Sequence, residues 1–331
     1  KIHDFTAQDW LEMSALQQHE ILNQFRLAFV DETTVNWCEA MGTVLANEEV
    51  VNGVSERGGY PVVRKKMRQW SLRITAYADR LLDGLNSLQW SDAIKEIQRN
   101  WIGKSQGAEI DFVVRGTLKT LKVFTTRPDT IFGATFMVVA PELENLREFC
   151  SDGQWSAVQE YANKAKNRSE IDRMADTTKT GVFTGMEAIN PFTGEPIPVW
   201  VSDYVLANYG TGIIMAVPAH DERDFAFAKT FNLNIIPVIK PANNDLELPL
   251  QEAFVAKDGI CFNSGFLDGL TVKDAISAAI AKVEKAGWGQ AKVNYRLREA
   301  GFGRQRYWGE PFPIVYSEDG IPQLVKELPV E

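Results

Sequence analysis

The sequence predicts a mixed α/β protein with about two domains. Three stretches rich in β-branched and aromatic residues indicate strands: 109–114, 118–124 and 136–140. Helical spacing predicts a helix at 155–174 and another from a capping box at Thr271 to Gly287. A chain of 331 residues is long enough for two hydrophobic cores. Strand-forming residues become frequent from Ala108 onward, and we expect three segments in the chain: 1–105, 106–295 and 296–331.

Two helices are expected in the first segment. A capping box from Thr6 to Asp9 opens a helix that we expect to reach about Val30. Apolar residues spaced by three and four from Trp70 to Leu85 predict the second helix. Five basic residues flank it and form either a solvated face or an RNA contact: Arg64, Lys65, Lys66, Arg68 and Arg73.

The region around Cys38 has the short strands and turns of a zinc-type module. A structural zinc site needs a Cys-x-x-Cys partner for Cys38, but Ser55 and Gly58 stand where that partner would lie. One thiolate does not hold a structural zinc, so we predict no metal ion. The chain has only three cysteines, an odd number spread far apart, which favours a reducing, cytoplasmic setting.

Bulk composition restricts the function classes further. The net charge of −9 weighs against non-specific nucleic-acid binding by the whole surface. No run of about 18 apolar residues occurs, so no membrane span is expected. The chain does not begin with Met, which indicates a piece of a longer protein. Its end interleaves arginines with aromatic residues, and this suits a nucleic-acid surface or a structural role equally: Arg296, Arg298, Arg304, Arg306, Tyr307 and Trp308.

The stretch Asn208–Asp224 joins an apolar run to a dense polar cluster. Its apolar residues 213–217 predict a strand buried on both faces, which Pro218 ends. The polar cluster follows at the start of a predicted helix, where free N–H groups favour a site. Asp221 and Asp224 alternatively form an ordinary capping box, which spacing alone favours.

A second stretch, Thr125–Gly133, follows a predicted strand. Pro128 forces Arg127 into an extended conformation, so the chain turns sharply here. The threonines of this turn, Thr125, Thr126 and Thr130, can gather around one small space. Taken alone, the stretch is also compatible with a turn capped by its own side chains.

Together these stretches resemble the CP1 editing domain of class I aminoacyl-tRNA synthetases, and the leucyl family most closely. Further segments of the chain resemble parts of the leucyl enzymes that flank this domain: 36–47, 69–75, 100–105 and 303–309. The resemblance implies a β-barrel editing domain surrounded by helices, for about 106–295. It also implies flanking segments of the catalytic core with a degenerate zinc-type module.

The resemblance also assigns roles to individual residues. Asp224 is expected to anchor the α-ammonium of an aminoacyl ester, and Thr125 and Thr126 to hold the ester and ribose. Thr130 is expected to narrow the pocket so that leucine does not fit. The remaining candidate binding residues are Arg127, Tyr209, Met215, Val217, His220 and Asp221. Water is the expected nucleophile, and the ribose hydroxyl of the substrate is implied as an aid.

The implied reaction is hydrolysis of tRNA(Leu) mischarged with norvaline, isoleucine or similar amino acids. Editing is expected to need no cofactor, whereas the parent ligase uses ATP through signatures that this chain lacks. The implied partner is the 3′ end of the tRNA, and a monomer is expected. Two alternatives remain: a non-catalytic tRNA-docking module and a free-standing deacylase.

Overall fold

The computed structural model describes residues 4–51, 53–166, 173, 179–206, 210–242, 246–255, 258–301 and 314–325. The chain forms two compact units. One unit consists of Lys1–Ile102 with Leu297–Glu331, and the other is Gly103–Arg296. The roles predicted for the three segments of the sequence remain predictions.

The described helices are α1 (Ala7–Glu12), α2 (Ala15–Asn23), α3 (Ala78–Gly84), α4 (Asp92–Ile102), α5 (Trp155–Lys166), α6 (Glu222–Phe231) and α7 (Val272–Ala286). The described strands are β1 (Ala28–Cys38), β2 (Thr43–Leu45), β3 (Val50–Val51), β4 (Val54–Ser55), β5 (Val63–Leu72), β6 (Ser105–Val114), β7 (Thr120–Thr125), β8 (Phe136–Val139), β9 (Val182–Ile189), β10 (Pro196–Val201), β11 (Ile213–Ala216), β12 (Ile239–Lys240), β13 (Ile260–Cys261), β14 (Gly289–Asn294), β15 (Ala300–Gly301), β16 (Ile314–Tyr316) and β17 (Pro322–Leu324).

The larger unit is built on a seven-stranded mixed sheet. Its strand order is β11-β8-β10-β9-β6-β14, and β7 pairs with β6. Strands β8 and β10 are parallel, and the other pairs are antiparallel. Side chains of β6 alternate, so that Ala108, Ile110, Phe112 and Val114 are fully buried in the main core.

The expected β-barrel is not found as a closed barrel, because the sheet formed by the described residues is open. Strand β11 pairs with β8 at one end of the sheet, and within the described residues no ladder joins β11 to β7. Closure depends on the tilt and stagger of the terminal strands, and a residue pattern does not specify these quantities. The gap between β7 and β11 is the place where the candidate site lies.

Several predicted elements of the larger unit are confirmed. Gly116, with φ of 74°, turns the chain between β6 and β7. Helix α7 begins at the N-cap Thr271 and ends at Gly287, which has a left-handed φ of 69°. Helix α5 lies within the predicted range 155–174, whose end is outside the described residues.

In the smaller unit, strands occupy part of the two predicted helices. The capping box at Thr6 is present, but it opens only the short α1, and β1 replaces the helix from Ala28 onward. The second helix begins later than predicted, because β5 runs to Leu72; a 3₁₀ helix then starts at Ile74, and α3 ends at Gly84 as predicted. Strands β1 and β5 pair continuously from Ala28–Leu72 to Trp37–Val63. The hydrogen bonds of this long ladder override a helical spacing that rested on few apolar positions.

The basic cluster lies on β5, except for Arg73, which directly precedes a 3₁₀ helix, Ile74–Tyr77. Arg73 donates hydrogen bonds to the carbonyl oxygens of Arg26 (3.1 Å) and Asn23 (3.0 Å). Its guanidinium also lies 4.0 Å from the centroid of the Phe29 ring. Arg73 therefore has a structural role in the smaller unit.

Ser55 has a structural role at the turn where a zinc ligand was considered. Its hydroxyl donates to the Arg57 carbonyl (2.7 Å) and accepts from the Tyr60 amide (2.9 Å), while Cys38 is buried on β1. Over the described ranges, no group of three or more His, Cys, Asp or Glu residues is arranged to hold a metal ion. The same part of the chain contains no helix long and apolar enough to cross a membrane.

Candidate active site

A cavity of about 190 Å³ lies in the gap between β7 and β11, where the turn after β7 meets the start of α6. Its lining residues are Val123, Phe124, Thr125, Thr126, Arg127, Thr130, Ile214, Met215, Val217, His220, Asp221, Arg223 and Asp224. Both motifs that the sequence singled out therefore meet at one cavity.

The last residue of β7 and the turn after it present two threonines to the cavity. The Thr125 hydroxyl accepts a hydrogen bond from the Arg127 amide (3.0 Å), so its own proton stays available to a ligand. Thr126 is exposed, and its hydroxyl makes no hydrogen bond within the described chain. Gly107 permits this arrangement, because a Cβ there would lie 2.0 Å from the Thr125 carbonyl oxygen.

A 3₁₀ helix, Pro128–Gly133, continues this turn and is fixed by buried polar contacts. The Arg127 guanidinium donates to both carboxylate oxygens of the fully buried Asp129, at 3.0 and 2.9 Å. The Thr130 hydroxyl donates to the Arg127 carbonyl at 2.8 Å. Because that hydroxyl is engaged, the methyl group is the part of Thr130 that remains to limit the cavity.

The two aspartates at the start of α6 have different roles. Asp221 is the N-cap, and its carboxylate accepts from the amides of Arg223 (2.9 Å) and Asp224 (3.1 Å). The Asp224 side chain does not complete the capping box. It points inward instead, and its Oδ2 accepts from the Val217 amide at 2.9 Å. The capping interpretation is therefore right for Asp221 and wrong for Asp224.

Asp224 is a buried carboxyl group with few partners. It is 4% exposed, and its Oδ1 accepts a hydrogen bond from the Tyr204 hydroxyl at 2.8 Å. Burial raises the pKa of Asp224 to about 7, and the nearby Asp221 carboxylate adds to this, whereas the hydrogen bonds from Val217 and Tyr204 lower it. A cation in the cavity would favour the ionised form of this group.

His220 lines the cavity, yet both of its ring nitrogens are occupied by backbone groups. Its Nε2 lies 3.0 Å from the Val238 amide and 3.1 Å from the Ile239 amide, both of which donate to it. Its Nδ1 lies 2.9 Å from the Phe254 carbonyl oxygen and therefore carries the proton. Burial lowers the pKa of His220, which keeps the ring neutral. This histidine fixes the surrounding loops and has no free nitrogen to act as a base.

The other wall of the cavity is apolar. Met215 and Val217 come from β11 and the residue that follows it, as the sequence analysis expected. Val123, Phe124 and Ile214 complete this wall, and none of them was a site residue predicted from the sequence. An apolar residue on a strand is predicted to be buried, and this pattern is the same for a cavity wall as for the hydrophobic core.

The structure brings together all the candidate residues that it describes, and Tyr209 lies outside the described residues. Arg304, Arg306, Tyr307 and Trp308 of the arginine-rich end are outside them as well. Gly107 and Tyr204 also shape the site, but each lies far in sequence from its contact. The role of Gly107 could have been predicted only from the pairing of β6 with β7. No pattern in the sequence indicates the contact of Tyr204 with Asp224.

The chain is similar in structure to a solved aminoacyl-tRNA synthetase and in sequence to one family of that class. The structure matches a crystal structure of a ternary complex of LeuRS, tRNA and LeuAMS from Agrobacterium radiobacter K84, with a TM-score of 0.69 and 36% identity over 93% of this chain and 36% of that one. Fold and cavity thus define a part of the aminoacyl-tRNA synthetase class. A family model described as leucyl-tRNA synthetase, editing domain, matches residues 99–284. The chain belongs to this family.

Curated relatives agree with that assignment. Leucine–tRNA ligases from Phocaeicola vulgatus and Porphyromonas gingivalis are 53% and 55% identical over 99% and 98% of this chain. The chain spans 35% of the length of each of these relatives.

Proposed function

We propose that the cavity hydrolyses the ester between a wrong amino acid and the 3′ end of tRNA(Leu), which is post-transfer editing. The observation that carries this proposal is a buried carboxylate and two threonine hydroxyls on the polar side of one small cavity whose other wall is apolar. This arrangement suits a ligand with an ammonium group, an ester and an aliphatic side chain. Membership of the editing-domain family supports the same reaction.

Asp224 would anchor the α-ammonium group of the substrate. Its carboxylate oxygens each keep a lone pair beyond the bonds from Tyr204 and Val217. A charge-assisted hydrogen bond in a site shielded from water fixes the ligand more firmly than a neutral one. Free amino acids and aminoacyl esters carry the α-ammonium group that this contact requires. A peptide whose α-amino group is blocked does not carry it.

The threonine turn would hold the ester and the ribose. Thr125 keeps its proton for a substrate oxygen, because its oxygen already accepts from the Arg127 amide. Thr126 offers both its donor and its acceptor, since no described group uses them. Fixing the ester between this turn and Asp224 orients its carbonyl carbon for attack, and orientation is itself a large source of catalysis.

Water is the nucleophile in this proposal. The described lining of the cavity contains no serine or cysteine, and His220 has both ring nitrogens engaged. The ribose hydroxyl next to the ester would assist by positioning the water. No metal ion or organic cofactor takes part in this step.

The Thr130 methyl group would act as the sieve. An additional methylene changes binding by only about 1–3 kcal/mol, which is too little for accurate leucine selection at a single site. A second site that excludes leucine but admits norvaline or isoleucine multiplies the two selections. We propose further that the parent protein ligates leucine to tRNA, as the names of its relatives indicate, and that it uses ATP to do so.

The test is deacylation of norvalyl-, isoleucyl- and leucyl-tRNA(Leu) by the 331-residue chain. The wild type is expected to hydrolyse the first two, and Asp224→Ala is expected to lose at least about 100-fold in rate, as for a buried charge-assisted contact. Asp111→Ala is the matched control, because this carboxylate lies on the opposite face of β6 and pairs with Lys122. A chain that binds tRNA but hydrolyses none of the three esters would instead be a docking module.

A further inference from the structure

Tyr204 makes a buried contact with Asp224 that the proposed reaction does not yet use. Its hydroxyl donates to Asp224 Oδ1 at 2.8 Å, and the tyrosine is only 8% exposed. The Val217 amide donates to the other oxygen at 2.9 Å. Two donors on opposite oxygens fix the orientation of the carboxylate. Tyr204 is not among the residues that line the cavity.

The backbone around Tyr204 is held rigidly. The Arg173 guanidinium donates to the carbonyl oxygens of Asp203 (2.7 Å) and Val205 (2.8 Å), the residues on either side of Tyr204. Arg173 is itself buried and forms an ion pair with Glu142. The Tyr204 ring packs against Phe227 of α6, with centroids 5.6 Å apart. These contacts leave the hydroxyl little freedom to turn away from Asp224.

We propose that Tyr204 is a positioning residue whose hydroxyl holds the Asp224 carboxylate in its charged form and directs it toward the ammonium group of the substrate. The inference rests on the proposed function for its catalytic meaning. Beyond that function, Tyr204, which lies outside the cavity, sets the lowest pH at which the site is active.

The charges around Asp224 explain why such a donor is needed. Among the described groups, those that act on its carboxyl group are Asp221, Arg223 and Tyr204, together with the Val217 amide. Burial and Asp221 both favour the protonated acid, which does not attract an ammonium group. The Tyr204 hydroxyl opposes them, since a hydroxyl donor stabilises the carboxylate and not the neutral acid. Tyr204 itself stays a donor, because burial raises the pKa of its phenol well above the ordinary value.

The direct test is a ¹³C NMR titration of the Asp224 carboxyl carbon in the 331-residue chain without substrate, assigned with Asp224→Asn. Tyr204→Phe keeps the ring and its packing but removes the donor. We expect the titration midpoint to rise by about one pH unit, the value of one hydrogen bond to a charged group. Tyr161→Phe removes a hydroxyl that bonds the Asp203 amide but not Asp224, and it should leave the midpoint in place. An unchanged midpoint in Tyr204→Phe overturns the proposal.

A second variant covers the case in which Tyr204→Phe does not fold. 3-Fluorotyrosine placed at position 204 is a stronger donor and should lower the midpoint of Asp224. A midpoint that stays or rises would speak against the assignment.

The pH profile of deacylation separates positioning from mere structural support. In Tyr204→Phe the acidic limb should move upward by the same amount as the titration, and activity should return toward that of the wild type at higher pH. A loss of rate by one constant factor at every pH contradicts a role through Asp224. If the wild type hydrolyses no ester, the proposed function fails, but the titration still decides the Tyr204–Asp224 contact.

Discussion

Replacing Asp224 with asparagine should stabilise the free protein at neutral pH while it removes the proposed ammonium anchor. The reason lies in burial: the carboxyl group is 4% exposed, and burial is the main cause of its raised pKa. Asparagine has nearly the same shape and keeps an oxygen that accepts from the Val217 amide. It carries no charge, so it does not meet the same desolvation penalty.

The pKa of Asp224 in the folded and in the unfolded protein sets the size of its contribution to the free energy of unfolding. The pKa of Asp224 is raised from 3.8 to about 7, so between these values the folded protein keeps a proton that the unfolded chain releases. The free energy of unfolding therefore falls as pH rises through this window, by up to about 4 kcal/mol. Below pH 3.8 both states bind the proton, and above pH 7 neither does, so the contribution is constant outside the window.

Urea unfolding of wild type and Asp224→Asn at several pH values between 4 and 8 measures this contribution. Other titrating groups cancel in the difference between the two proteins. We expect the variant to gain stability relative to the wild type steadily as pH rises, and to level off above about pH 7. A difference that is the same at every pH would refute the reasoning, because Asp224 would then have an ordinary pKa.

Three further predictions concern the rest of the site. Thr130→Ser should begin to hydrolyse correctly charged leucyl-tRNA(Leu), whereas Thr130→Val, which keeps the methyl group, should retain the discrimination; equal leucine hydrolysis by both variants would contradict the sieve. Gly107→Ala should displace the Thr125 carbonyl, since the added Cβ would lie 2.0 Å from it, and lower deacylation by at least about tenfold. Gly153→Ala, which has open space around it, is the control and should behave as the wild type. His220→Ala should lower the free energy of unfolding by about 2–5 kcal/mol, because two backbone donors lose their acceptor. A rate loss in folded His220→Ala that titrates like an imidazole would show instead that the histidine acts as a base.

Local patterns predicted the parts of the site that are contiguous in sequence. The threonine turn follows from Pro128 and from the strand before it, and the buried strand before α6 follows from its apolar run. Both lead to the same cavity because β7 and β11 border the same gap, which the sequence did not show. Only the resemblance to a known family indicated that the two motifs belong to one site.

Contacts between residues far apart in the chain account for the features of the site that the sequence did not predict. The inward turn of Asp224 depends on two hydrogen-bond donors, the Val217 amide and the Tyr204 hydroxyl, and no helix-capping rule contains them. The role of His220 similarly depends on amides at 238 and 239 and on the Phe254 carbonyl. In the smaller unit, the β1–β5 ladder overrode helical spacing for the same reason: the paired residues lie between 26 (Trp37–Val63) and 44 (Ala28–Leu72) positions apart.

The most direct measurement of the central claim compares two non-hydrolysable ligands, an amide-linked norvalyl-adenosine and the same molecule without its α-amino group. Isothermal titration at pH 8 should show that the wild type prefers the ligand with the amine by about 10-fold or more, and that Asp224→Asn loses this preference while it still binds both. An equal preference in wild type and Asp224→Asn would show that the ammonium group is held elsewhere, and the account of the site would be wrong.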